Sequence, residues 1–509
     1  MVDVLFIEAD SSRAAYQDLA TDMSAIETPT WSLLLASSCR AKGYTPAIID
    51  QRAERLSDTD LLLKVEDYNP GLVVFVIYGQ NPNSGTTNMI GTVRVGEKIR
   101  EHYGYPIAAV GTHISALPVE SMTRHSFIDV AFIGDGVYAL HNLLDLLSSG
   151  KNVFSPEVSS IKGIAYWSGG IPLLSPSGVM VPHDRMDIDL PGYAWDLIPS
   201  LDRYRSHIWH AHFNENERNP FAAIYTSIGC QFGCIFCVIN NINKSSSESK
   251  TWAGQFRTMK YWSTEHMLSI VEDLASRGVK TLRLSDEMFY LNKKYYEPFL
   301  QGIVDRGFDL NMWTYTRIDT VNPKFLDLFK KAGVTWLAPG IESGDQEVRM
   351  EASKGSFKTV KVKDVVRTIE DAGIDVVANF IVGLPEDSME TMQATKDLAF
   401  ELNTAHMNVY AVQALPGTEL YWEAKEKGWG LPDTYEGYAF LSYECLPLPT
   451  KYVSAREVLA FRDRMWADYF TSEKYLSMIE KKFGLTQRRN VEKMAGISLR
   501  RKILEESRR

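Results

Sequence analysis

The chain has 509 residues, 45% of them hydrophobic and 23% charged, with a formal net charge of −10. At roughly 100–200 residues per domain this means two to four domains with ample core, so a mainly disordered state is excluded. The acidic balance argues against nucleic acid as the main partner, and apolar runs such as Leu72–Tyr78 fall far short of the ~18 residues of a membrane span.

From residue 1 to 150 the pattern alternates strand and helix. Val4–Ile7, Ala47–Ile49, Leu72–Tyr78, Ile107–Val110 and Val130–Ile133 read as buried parallel strands, with helices at Trp31–Lys42, Met89–His102 and Tyr138–Leu147 between them. The first ten residues are acidic where a secretory signal is basic, and they read as a strand. Five such βα units predict a doubly wound α/β sheet, whose ligands sit beyond the carboxyl ends of the strands. The residues there are Gln80 and Asn81, then Gly111, Thr112 and His113, then Gly134, Asp135 and Gly136. A nucleotide-type sheet without cofactor is the plainer alternative.

Residues 151–219 are irregular and read as a linker with short strands, one at Gly163–Trp167. Residues 220–430 alternate again, with strands at Ala222–Ser227, Thr281–Ser285, Asn311–Thr314, Trp336–Pro339, Asp375–Ile381 and Met407–Val412. Six units predict a partial (β/α)6 barrel with its chemistry at the carboxyl ends of the strands. Residues 431–509 carry helical patterns at Ala455–Phe470 and Tyr475–Phe483.

There are five cysteines, an odd and small number that fits a reducing, cytoplasmic setting. Cys230, Cys234 and Cys237 fall within eight residues, while Cys39 and Cys445 are far away. Three thiolates can hold three irons of a 4Fe–4S cube and leave the fourth open. A zinc site or buried free thiols are the alternatives, and zinc needs a fourth side chain that His207, His210 or His212 could supply.

The run Cys230-Gln-Phe-Gly-Cys234-Ile-Phe-Cys237 after a barrel strand resembles the CxxxCxxC motif of radical S-adenosylmethionine (SAM) enzymes. Phe236 matches the aromatic residue before the last cysteine. Leu284-Ser-Asp286-Glu287-Met-Phe, Trp313-Thr-Tyr-Thr-Arg317-Ile-Asp319, Gly340-Ile-Glu342-Ser343-Gly and Phe380-Ile-Val-Gly383-Leu-Pro385 follow in the order of that family's later strand motifs. The resemblance implies that the open iron binds SAM. It also implies SAM contacts from Phe236, Asp286, Glu287, Arg317, Glu342 and Ser343, and leaves Lys354 either touching SAM or pairing with a surface carboxylate.

A flavodoxin-like sheet ahead of such a barrel resembles the cobalamin-binding branch of the family. Pro29-Thr-Trp-Ser-Leu-Leu-Leu, Gly111-Thr-His113-Ile-Ser-Ala-Leu-Pro118, Gly134-Asp135-Gly136 and Pro191-Gly-Tyr-Ala-Trp195 match its pattern. The D-x-H-x-x-G run that gives other corrinoid proteins a cobalt-ligating histidine is absent, so His113 is expected at the corrin edge rather than on cobalt. The resemblance implies a cobalamin-binding domain over residues 1–150, a 4Fe–4S cluster, SAM and cobalamin as cofactors, and methylation of an unactivated carbon of a small metabolite through a 5′-deoxyadenosyl radical. A cyclase, ring-contraction or rearrangement enzyme is the alternative, and a corrinoid or redox sensor without turnover a more distant one. A small reductant such as flavodoxin or ferredoxin is implied as electron donor.

Overall fold

The computed structural model describes all residues except 80, 81, 247, 249 and 507–509. Gln80 and Asn81 therefore lie outside the described residues. Mostly apolar runs form the strands of the first sheet. In β3 (Val73–Ile77) every residue is buried, as expected of a strand covered on both faces. It lies among β1 (Val4–Glu8), β2 (Pro46–Asp50), β4 (Ile107–Gly111) and β5 (Val130–Phe132), all parallel, in the order β2-β1-β3-β4-β5. This is the flavodoxin-like winding, and its order reverses at β1 and β3. Residues 151–219 are more than a linker. They carry β6 (Ile164–Ser168) and β7 (Ile171–Leu174), which extend the same sheet antiparallel to seven strands.

The barrel begins with β8 (Phe221–Ile224). A short antiparallel hairpin follows, β9 (Ser227–Cys230) and β10 (Thr258–Tyr261). Then come β11 (Thr281–Leu284), β12 (Asn311–Arg317), β13 (Val334–Glu342), β14 (Asp375–Val382) and β15 (His406–Ala411). Six parallel strands stand in the order β15-β14-β13-β12-β11-β8, so the barrel stays open between β8 and β15. Both open edges are guarded. Thr28 Oγ1 accepts from Ala223 N at 3.0 Å and donates to Ala223 O at 3.2 Å, covering β8. Arg462, on the tail helix Ala455–Thr471, donates Nε to Val409 O at 2.8 Å, covering β15. Covered edges cannot recruit another strand.

The two domains share one hydrophobic core. It runs from Val4 and Trp31 through Tyr225 and Trp262 to Trp336 and Tyr475. Trp31 is its hinge pin, stacked on Tyr78 of the first domain at 4.4 Å and tilted against Tyr225 of the second at 6.2 Å. Among the described residues no helix is long and apolar enough to cross a membrane.

Candidate active site at the barrel mouth

The turn after β8 is tied down before the cysteines begin. Asp286, just past β11, accepts from Thr226 N at 2.9 Å, Thr226 Oγ1 at 2.8 Å and Ser227 Oγ at 2.5 Å. The hairpin then delivers Cys230 to the mouth, where its N–H donates to Asn240 Oδ1 at 2.9 Å. Asn240 also donates to Phe232 O at 3.1 Å, so one amide holds both ends of the loop. Ile235 N reaches Ala352 O at 3.0 Å and anchors its middle to the barrel.

Cys230, Cys234 and Cys237 line one cavity of about 280 Å³ with Phe236, Glu287, Arg317 and Glu342. Burial pushes the Cys230 and Cys234 thiols up to about 12, and Cys237 higher still. Such thiols become thiolate ligands only when metal charge replaces the lost hydration. Among the described residues no three His, Cys, Asp or Glu side chains converge tightly enough to share one metal ion. A cube places each thiol on a separate iron and does not require them to converge on one ion. His210 is not placed to complete a zinc site with them. Its Nε2 is 3.0 Å from the carbonyl of Asn311, at the start of β12 and the opposite end of the barrel. Cys39 is buried in the shared core, and Cys445 stands behind Gln413, whose Nε2 is 3.8 Å from its sulfur. The donor set fits a three-cysteine cluster with an open iron.

The acidic residues divide. Glu287 and Glu342 face the cavity, and Glu287 Oε1 is buried without a hydrogen-bond partner. Burial pushes both carboxyls up to about 7, with Arg283 opposing at Glu287 and Arg317 at Glu342. Glu342 reaches the cavity through a register shift against β14 between Gly340 and Glu342, and its backbone is left-handed at φ 66°. A non-glycine residue there is strained, and such strain collects at functional sites. The bulge aims the carboxylate back over Gly340, where a Cβ would stand 2.4 Å from Glu342 Oε1.

Three of the expected SAM contacts are held by partners within the protein. Asp286 is fully engaged with Thr226 and Ser227 and does not line the cavity. Ser343 is wholly buried behind the strand, beside Thr395 Oγ1 at 3.2 Å and accepting from Asp345 N at 3.1 Å. Arg317 lines the cavity and also serves as a brace. It grips Asp319 at 2.6 and 2.8 Å, donates to Ser356, and lies 3.6 Å over the Phe232 ring of the cysteine loop. Lys354 pairs with Glu419 at the surface.

The first domain's strand ends are likewise engaged within the protein. His113 lies inside that domain, Nδ1 3.1 Å from Thr86 Oγ1 and edge-on to Tyr435, and burial holds its imidazole down to about 3. Asp135 accepts from Val181 N at 2.9 Å and pairs with Lys260 of β10 at 3.3 Å, a buried ion pair between the domains. A Cβ on Gly111 would stand 2.2 Å from Ile77 O, and one on Gly134 2.6 Å from Lys244 O. Thr112 packs against Gly85, and Gly136 starts the helix Val137–Ser148 against Val110. These residues dock the domain to itself and to the barrel. The first domain meets the cavity instead through Asn83, Ser84 and Thr87 after β3. Val238 N donates to Asn83 Oδ1 at 3.0 Å, and Asn83 Nδ2 lies 3.9 Å from Cys237 Sγ.

Further cavity residues escaped the motif reading, among them Tyr315, Asn379 and Tyr410. The signal was present as a period of two. Trp313, Tyr315 and Arg317, then Ala338, Gly340 and Glu342, then Val377, Asn379 and Ile381 all face the lumen.

The profile of the Radical SAM superfamily matches residues 224–399, which begin at the end of β8 and contain the cysteine loop, Glu287 and Glu342. The barrel of this chain is therefore similar to a radical SAM domain. TsrM from Kitasatospora setae, a radical SAM methyltransferase solved with cobalamin and a 4Fe–4S cluster, shares its fold. The TM-score is 0.67 at 16% identity, over 97% of this chain and 98% of that one. The cobalamin-dependent radical SAM enzyme OxsB gives a TM-score of 0.64 at 13% identity, over 97% of this chain and 72% of that one. In sequence, the chain is 26% identical over 401 residues to an uncharacterized methyltransferase of Pyrococcus horikoshii, covering 78% of each chain. It is 23% identical over 439 residues to the anaerobic magnesium-protoporphyrin IX monomethyl ester cyclase of Rubrivivax gelatinosus, covering 83% of this chain and 70% of the relative.

Proposed function

We propose that this chain is a cobalamin-dependent radical SAM methyltransferase acting on a small metabolite in the cytoplasm, with electrons from a small reductant such as flavodoxin or ferredoxin. The observation that carries the reading is one cavity that joins three cysteines and two carboxylates of the barrel to Asn83, Ser84 and Thr87 of the flavodoxin-like domain. When bound, the cluster supplies an electron to SAM and cobalamin supplies a transferable methyl group.

The chain's own residues position and shield these partners. Cys230, Cys234 and Cys237 hold iron. Glu287 and Glu342 accept hydrogen bonds from the ammonium and hydroxyl groups of SAM, and a cation there draws both carboxyls into the charged form. Arg317, gripped by Asp319, keeps Phe232 and hence the cysteine loop in place. Tyr410, Tyr438 and Phe440 wall the cavity against water. For the corrin, Asn83, Ser84 and Thr87 after β3 join Gly111–His113 and Gly134–Gly136 as the proposed contacts.

TsrM, solved with a tryptophan substrate, supports a small-molecule substrate, and the Pyrococcus relative supports methyl transfer. The Rubrivivax cyclase, which matches more of this chain than the Pyrococcus relative does, supports a second reading in which the same site drives ring closure. The test supplies reductant, methylcobalamin and SAM with a labelled methyl group. Methyl transfer is expected to give S-adenosylhomocysteine and 5′-deoxyadenosine in equal amounts, with label in the substrate. Formation of 5′-deoxyadenosine without label in any substrate favours cyclisation.

A further inference from the structure

Deeper in the barrel lies a second cavity of about 470 Å³. It shares Tyr315, Tyr410 and Phe440 with the cysteine cavity, and residues 496–499 of the tail line its other side. Its volume is in the range of sites that take one small molecule. The walls are rings, with Trp209, Trp313, Tyr315 and Trp466 among them.

One charged group in this apolar chamber is incompletely satisfied. Arg283 of β11 donates Nη1 to Glu27 Oε2 at 2.5 Å, and the two side chains are only 3% and 4% exposed. Arg283 Nε and Nη2, Glu27 Oε1 and Trp313 Nε1 are all buried without a hydrogen-bond partner. The guanidinium lies 4.6 Å over the Trp313 ring and 5.3 Å over the Tyr315 ring, which fixes its plane. Buried polar groups are nearly always paired, so four orphaned atoms on three side chains that line one cavity point to a missing ligand. The Nε–Nη2 edge of a guanidinium matches the two oxygens of a carboxylate. Glu27 Oε1 can only accept. The Arg283–Glu27 pair is already neutral, so a lone anion would bury a net charge, whereas a zwitterion would not. Ring walls favour a flat apolar body.

We propose that this cavity is the substrate site and takes an α-amino acid with an aromatic side chain, its carboxylate on Arg283 and its ammonium on Glu27. The assignment rests on the radical SAM reading for its chemistry, but its test is one of binding. Isothermal titration calorimetry on the cluster-loaded protein uses L-tryptophan, L-tyrosine and L-phenylalanine, with indole-3-propionate and tryptamine as single-headed analogues. At least one amino acid is expected to saturate the protein with a Kd below about 1 mM. Both analogues are expected to bind at least about tenfold more weakly than L-tryptophan. Arg283→Gln and Glu27→Gln should each weaken the bound amino acid by about tenfold or more. Ala338→Leu, which fills the lumen from β13, should abolish binding.

Absence of saturable binding by all three amino acids overturns the proposal. So does an analogue that matches L-tryptophan, or an Ala338→Leu protein that binds like the parent. The analogue series needs no variant and decides the question even where Arg283→Gln fails to fold. SAM cleavage is scored in the same samples after reduction. Cleavage without amino-acid binding defeats the substrate assignment alone, and binding without cleavage defeats the catalytic reading alone.

Discussion

Replacing Glu342 by glutamine should stabilise the cofactor-free protein while weakening SAM binding. Burial moves the Glu342 carboxyl from its ordinary 4.5 up to about 7. A carboxyl raised in the folded state favours folding fully below its unfolded value, and that advantage is lost as pH rises through the folded value. At about 1.4 kcal/mol per unit, the interval from 4.5 to about 7 makes the charged form cost ~3 kcal/mol at pH 8. Glutamine keeps the shape and the left-handed backbone but cannot titrate. Urea unfolding followed by tryptophan fluorescence, at steps from pH 4.5 to 8, should therefore show the stability difference moving by ~3 kcal/mol in favour of Glu342→Gln as pH rises. Such a trade of stability for function is common where a charged group awaits a ligand. A difference that does not change with pH would refute the reasoning.

Lys260→Met leaves Asp135 as an uncompensated buried charge between the domains and should cost about 3–5 kcal/mol, seen as a lower urea midpoint, with much of the loss recovered by adding Asp135→Asn. Single alanine substitutions at Cys230, Cys234 or Cys237 should abolish four-iron loading, whereas Cys39→Ala and Cys445→Ala should retain it by iron and sulfide analysis. His113→Ala should leave the visible spectrum of bound corrinoid unchanged, because its ring faces Thr86 and Tyr435, while unfolding shows a loss of about 1–3 kcal/mol.

Strands buried on both faces were legible because their apolar runs are continuous, as in β3 and β14. β6 and β7 were not. They lie toward the sheet edge, their outer residues are exposed, and Pro172 interrupts the second. β12 and β13 run three residues past the expected ends, to Arg317 and Glu342, because polar inward residues continue the ladder toward the mouth. The cysteines were legible from spacing alone. The division of labour between Asp286 and Glu287 was not, since these neighbours differ only in which one meets the Thr226–Ser227 turn, about sixty residues away. The ion pair of Asp135 was hidden for the same reason, its partner Lys260 lying in the other domain.

The central claim is that three cysteines hold a cluster whose fourth iron is left for SAM. Electron–nuclear double resonance on the reduced protein, with SAM carrying nitrogen-15 in its amino group, addresses it directly and needs no knowledge of the substrate. A hyperfine coupling from that nitrogen, absent in the sample without SAM, is the result expected. A four-iron signal with no such coupling, unchanged by SAM, would mean that a protein side chain closes the cluster and would contradict the account.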